Sequence, residues 1–143
     1  MAIVLRNCKV AFDGVDFSTA IREVAVDCTA AEVSTTAMGA GGEQRLAGIR
    51  DDKFTFTAYS DFAASGLHAT LGAKFAAAGT VAIQVIPVGS TVSATNPMFA
   101  GYAPLLTYTP VGGAVGDAAM TPLEFPVNGT VSFNTGGTFL TMP

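Results

Sequence analysis

A chain of 143 residues in which half the side chains are hydrophobic and only 13% are charged lies outside ordinary soluble-domain composition, where about a quarter are charged. Its formal net charge is −4 and its isoelectric point is near 4.6, which argues against a nucleic-acid surface built on a basic footprint. No uncharged run reaches the ~18–20 apolar residues of a spanning helix without Gly, Pro, Ser or Thr, so one domain with no membrane partner is expected.

Charge placement says more than the total. All basic residues lie between Arg6 and Lys74, Phe75 to Gly116 carries no charge, and none follows Glu124. A lone domain needs charged side chains over most of its exterior. A half-chain without them implies a covered surface, and further copies of the same chain are the simplest cover. Few apolar residues precede Arg6, so the start does not read as a signal peptide. Cys8 and Cys28 have nineteen residues between them and form no CxxC, which leaves two reduced, semi-buried apolar side chains as the expectation.

In chain order, Ile3 to Phe12 reads as a first strand, and Asp13-Gly14 as a tight hairpin turn. From Ile21 to Cys28, Val24, Val26 and Cys28 face one way and Glu23, Ala25 and Asp27 the other. A turn is expected at Thr29–Ala31. The stretch Ala31–Phe62 then opens with a Thr/Ser-rich strand and turns at a glycine-rich tip, Met38, Gly39, Ala40, Gly41 and Gly42. It passes an apolar corner at Leu46, Gly48 and Ile49, and ends where Phe54, Phe56 and Ala58 alternate with Thr55, Thr57 and Tyr59.

Leu67, Leu71 and Phe75 form a single apolar stripe that places a helix over roughly 63–78, packed on the sheets. Asp61 or Ser65 would cap its start and Gly79 its end. Thr80 to Val88 is an uncharged strand apolar on both faces. Met98 to Thr109 is a long strand containing Pro104, and Met120 to Val127 a strand containing Pro122 and Pro126; prolines belong on edges or bulges. Asn128-Gly129 reads as a hairpin turn into Thr130–Asn134, and Phe139 to Met142 as an apolar tail. About eight strands, one helix and no βαβ alternation give a mainly β fold, a sandwich or barrel with one flanking helix over residues 1–143.

No stretch carries evident chemistry. Gly39 to Gly42 lacks the Lys-Ser/Thr of a phosphate loop and reads as a hairpin tip. His68, the one histidine, has no partner suggesting catalysis or metal binding and reads as an ordinary helix-surface or semi-buried residue. Asp51-Asp52 beside Arg50 and Lys53 reads as a solvated turn. No cofactor, metal or catalytic residue is expected. Ile3, Val4 and Leu5 at one end and Phe139 and Leu140 at the other are either edge strands of the core or arms reaching a neighbouring copy.

The ordered series of features resembles the tail tube (major tail) proteins of long-tailed bacteriophages. Val15-Asp16-Phe17-Ser18 matches that family's step after the first turn. Val24–Asp27, then Glu32-Val33-Ser34-Thr35-Thr36 and Gly39, continue it. Arg45, Ala47-Gly48-Ile49, the aromatic/Thr strand ending at Asp61, the helix, Pro87 and Asn96-Pro97 complete it. The resemblance implies hexameric rings stacked into a tube with a shared inner β-barrel, through which DNA is ejected without specific binding. It implies tail tip, tape measure and tail terminator proteins as partners, and a place in the virion tail after assembly in the bacterial cytoplasm. In that setting Met38–Gly42 would contact the next ring, and Asp27 and Glu32 would face the lumen. The alternative is a β-sandwich binding module for carbohydrate or a capsid surface; the absence of Trp and the presence of only three Tyr weigh against it.

Overall fold

Period-two alternation builds two antiparallel sheets whose apolar faces meet. The computed structural model describes residues 2–39, 41–137 and 139. Its strands are β1 (Lys9–Phe12), β2 (Val15–Asp16), β3 (Ile21–Ser34), β4 (Arg45–Tyr59), β5 (Thr80–Ile86), β6 (Met98–Pro104), β7 (Met120–Pro126) and β8 (Ser132–Asn134), with a helix α1 (Leu67–Ala76) between β4 and β5. One sheet has the order β2-β1-β5-β6-β8 and the other β3-β4-β7.

The core between them is aromatic. Phe12 from the first sheet meets Phe56 edge-on at 5.2 Å and Phe125 at 5.5 Å, while Phe54 stacks on Phe56 at 6.0 Å. Val10, Val81, Ile83, Val85, Leu123 and the helix residues Leu67 and Leu71 close around these rings. The alternation expected in β4 holds: Phe54, Phe56 and Ala58 are buried, and Thr55, Thr57 and Tyr59 point away. In β5 both faces are covered, as its uncharged sequence requires.

Local chemistry fixes the turns. Asp13 and Gly14 both have positive φ (53° and 78°), and Phe12 pairs with Val15, giving a two-residue hairpin. After β2, Asp16 Oδ1 accepts the Ser18 backbone N–H at 2.9 Å and its hydroxyl, while Ser18 Oγ accepts the Val10 N–H at 3.0 Å. This short staple turns the chain from one sheet toward the other and drops Phe17 into the core.

Several boundaries differ from expectation. The first strand begins at Lys9, so Ile3, Val4 and Leu5 lie outside any strand and are exposed. No turn occurs at Thr29–Ala31. β3 runs on to Ser34, and β4 takes up the change of register with a bulge at Gly48-Ile49 opposite Ala31; a Cβ added at Gly48 would lie 2.9 Å from Val33 Cγ2. β6 stops at Pro104 rather than Thr109.

Asn128-Gly129 is not a hairpin, because β7 pairs with β4 and β8 pairs with β6; the turn carries the chain between sheets, with only Gly129 at positive φ. The prolines fall as expected: Pro122 and Pro126 lie on the edge strand β7.

The helix is shorter than 63–78. Gly66 occupies its N-cap without a side-chain bond, although the Asp61 carbonyl accepts the His68 N–H. Its end is closed by Ala78 (φ 54°) rather than Gly79, with Ala78 N–H bonded to Phe75 O and Gly79 N–H to Lys74 O. Leu67 and Leu71 are buried, but Phe75 is 44% exposed and leaves the stripe for a surface cluster. Truncating the central ring, Phe56→Ala, is expected to cost about 3–5 kcal/mol in urea denaturation, whereas Phe75→Ala costs less than about 1.5 kcal/mol; equal losses would contradict this partition of the core.

Candidate functional site

The surface that stands out is a ribbon. β7 pairs with β4 only from Lys53 to Tyr59, so Thr29–Ser34 and Arg45–Asp51 pair with each other alone. At ~3.4 Å per residue this ribbon projects roughly 20 Å past the sandwich. Val33, Leu46 and Ile49 on it are exposed, and so is Met38 at its tip. A two-stranded hairpin without a covering layer is at best marginally stable in water. Its apolar side chains and open backbone edges therefore mark it as a contact surface.

The tip is held by side-chain chemistry. Thr35 N–H donates to Gln44 O at 2.9 Å and Gln44 N–H to Thr36 Oγ1 at 2.8 Å. Gly39 has φ +84°, and a Cβ at Gly39, Gly41 or Gly42 would meet nothing within 4 Å. Ala40 lies outside the described residues. Arg45 bonds Glu32 at 2.8 Å and also Glu43, a triad that stiffens the approach to the tip.

At the root of the ribbon sits Asp52, which contradicts the reading of Asp51-Asp52 as a solvated turn. It is fully buried; Oδ2 accepts from Arg50 at 2.6 Å and from the Val131 N–H at 2.8 Å. Its own carbonyl accepts the Val127 N–H at 2.9 Å, and Oδ1 has no partner among the described residues. Arg50 also lies 5.4 Å above the Phe133 ring. This cluster clamps the ribbon to the segment leading into β8. The signal missed was parity: the buried face of β4 extends back from Ala58, Phe56 and Phe54 to Asp52.

The two acidic candidates are not brought together. Asp27 lies on the face of β3 that points away from the core, while Glu32 lies beyond the bulge on the ribbon, paired with Arg45. Glu23 and Glu124 share the face of Asp27, with Lys53 between strands and 3.5 Å from Glu124; Ala25, Thr55, Thr57 and Pro122 fill the rest. Arg22 lies over the same face, 3.5 Å from Met120 Sδ, so the three carboxylates there are partly offset by Lys53 and Arg22. Glu23 was legible in the sequence alternation, but Glu124 needed the β4–β7 register.

A second uncovered surface is aromatic. His68 Nδ1 lies 2.8 Å from the Tyr108 hydroxyl, and its ring contacts Phe62 at 5.1 Å and Tyr108 at 5.8 Å; Phe75 meets Tyr108 at 6.0 Å. Burial pushes the Tyr108 phenol above its ordinary value. His68 is on the helix surface as expected, but as part of this cluster. At the chain ends, Phe139 is half-buried and Leu140 lies outside the described residues. No helix among the described residues is long and apolar enough to cross a membrane, and no group of three or more metal-ligating side chains gathers among them.

No protein-family model matches the chain, and no curated sequence is similar to it. Solved structures are. The chain is similar to the SPP1 tail tube protein with a TM-score of 0.75 at 13% identity, over 97% of this chain and 83% of that one. It is similar to a chain of the native gene transfer agent virion with a TM-score of 0.73 at 16% identity, over 93% and 99%. A chain of the tail of an empty gene transfer agent particle, solved with C6 symmetry, matches at 0.67 and 18% identity over 90% and 94%. The chain thus shares the fold of the SPP1 tail tube protein, with two antiparallel sheets and one helix among the described residues. The sequence resemblance and the architecture agree.

Two outcomes follow. Asp52→Ala removes the acceptor for Val131 and Arg50 and is expected to lower stability by about 2–4 kcal/mol in chemical denaturation, while Asp51→Ala stays within about 0.5 kcal/mol. Cys28 is exposed, contrary to expectation, whereas Cys8 is half-buried and burial pushes its thiol up. Iodoacetamide should therefore label Cys28 well ahead of Cys8 in the unassembled protein at pH 8, as read by mass spectrometry. Because the native state holds the Cys8 proton more tightly, stability declines as pH rises through the thiol range.

Proposed function

We propose that this chain is the structural subunit of a bacteriophage-type tail tube, assembling into hexameric rings that stack into a conduit for DNA. The observation that carries the reading is the match of nearly the whole chain to tail tube structures at TM-scores up to 0.75. The uncovered ribbon and the charge-free second half supply the physical reason for assembly.

In this reading the outward face of β3-β4-β7 lines the lumen, with Asp27, Glu23 and Glu124 facing the passing DNA. Glu32 and Glu124 contribute less because Arg45 and Lys53 pair with them. A ring of six carries about −24 formal charges, a field that keeps DNA sliding rather than bound. The tip containing Met38, Gly39, Ala40, Gly41 and Gly42 contacts the next ring, and the Ile3–Leu5 and Phe139-Leu140 ends reach neighbouring copies. Tail tip, tape measure and terminator proteins would nucleate and close the tube in the virion tail. No reaction is assigned to the chain. A carbohydrate- or capsid-binding module is not favoured.

Electron microscopy across a concentration series should show rings or hollow filaments of uniform diameter. Replacing residues 37–43 by a short Gly/Ser turn should leave rings but abolish filaments. Compact monomers at every concentration, even with tail-tip seeds, would sink the proposal.

A further inference from the structure

Two apolar surfaces stand uncovered at opposite lateral sides of the three-stranded sheet. On the β3 side, Ile3, Val4 and Leu5 are each more than half exposed and belong to no strand. Leu5 and Arg6 line a cleft of about 440 Å3 with Ile21, Arg22 and Val24 at the start of β3. On the β7 side lies the aromatic surface of Phe62, His68, Phe75 and Tyr108. Tyr108 belongs to the stretch whose neighbours Leu106, Thr107 and Thr109 border a groove with Pro122 and Pro126 of β7.

A ring generated by rotation joins one lateral side of each copy to the other side of the next. The two surfaces are matched in character. Ala2–Leu5 is uncharged and ends at Arg6; the ring surface is uncharged and begins just after Asp61. Among the described residues neither Arg6 nor Asp61 forms an ion pair. Branched aliphatic side chains on exposed ring faces, with an opposite-charge pair at the margin, form a desolvated centre with a polar rim.

We propose that the Ile3–Arg6 segment of one copy docks on the Phe62–His68–Phe75–Tyr108 surface of a second copy, with Arg6 facing Asp61. The inference rests on the ring reading and names the two surfaces that meet across each seam. It explains why an exposed aliphatic segment and four clustered rings coexist on one chain: each covers the other.

The test uses a Cys8→Ala/Cys28→Ala parent shown by electron microscopy to assemble. In assembled Val4→Cys/Phe75→Cys protein, oxidation should give a ladder of disulfide-linked multimers up to six chains on denaturing gels. Separately, Arg6→Glu and Asp61→Arg should each reduce the assembled fraction about fivefold, and the charge-swapped double variant should recover most of it. Asp61 Oδ1 also accepts the Ala63 N–H at 3.0 Å, so Asp61→Arg alone could disturb the helix start; the disulfide assay does not depend on it. Rings that form without crosslinking or charge-swap rescue overturn the docking and leave the ring reading standing. A parent that forms no rings overturns both.

Discussion

The pairing of β3 with β4 sets everything else. These strands run side by side for most of their 14 and 15 residues, yet only the half nearest Phe54 and Phe56 has a core behind it. Within the sandwich, aromatic contacts and the second sheet cover the strands' apolar face. Beyond Asp52 there is no second layer, and the pairing must be sustained by the ladder, the Arg45 triad and whatever docks on Ile49, Leu46 and Val33. The molecule is thus a stable body carrying an element that is incomplete alone.

Asp52 marks the boundary between these regimes. A buried carboxylate that accepts from Arg50 and from the Val131 N–H gains its value from geometry, since desolvation of the charge offsets most of the ion-pair attraction. What the cluster supplies is direction: it ties the ribbon's root to the turn entering β8 and to the Phe133 ring. The ribbon therefore leaves the sandwich at a fixed angle instead of swinging about its bulge at Gly48-Ile49.

The sequence made the fold class legible because the strong signals were local: alternation at Phe54–Tyr59, the Asp13-Gly14 turn, and the Leu67/Leu71 stripe. What escaped it was non-local. Nothing near Asn128-Gly129 reveals that the strands on either side join different sheets. A run of small residues at Thr29–Ala31 looks like a turn until its partner strand supplies the Gly48-Ile49 bulge opposite Ala31. Asp52 looks solvated among charges, and only the register of β4 turns it inward. The glycine-rich hairpin tip was marked by composition, but the rings that gather around His68 come from positions 62 to 108 and needed the tertiary structure.

Pro122 and Pro126 on β7 have a consequence for the protein before it assembles. They remove two backbone donors from one edge of the three-stranded sheet, while the opposite edge, β3, contains no proline. Runaway growth by strand addition, the route to amyloid-like fibres, needs a receptive edge at both ends of every added copy. A chain blunted on one side cannot supply it. The blunted edge thereby discourages backbone-driven polymerisation of free copies and leaves contact between them to side chains.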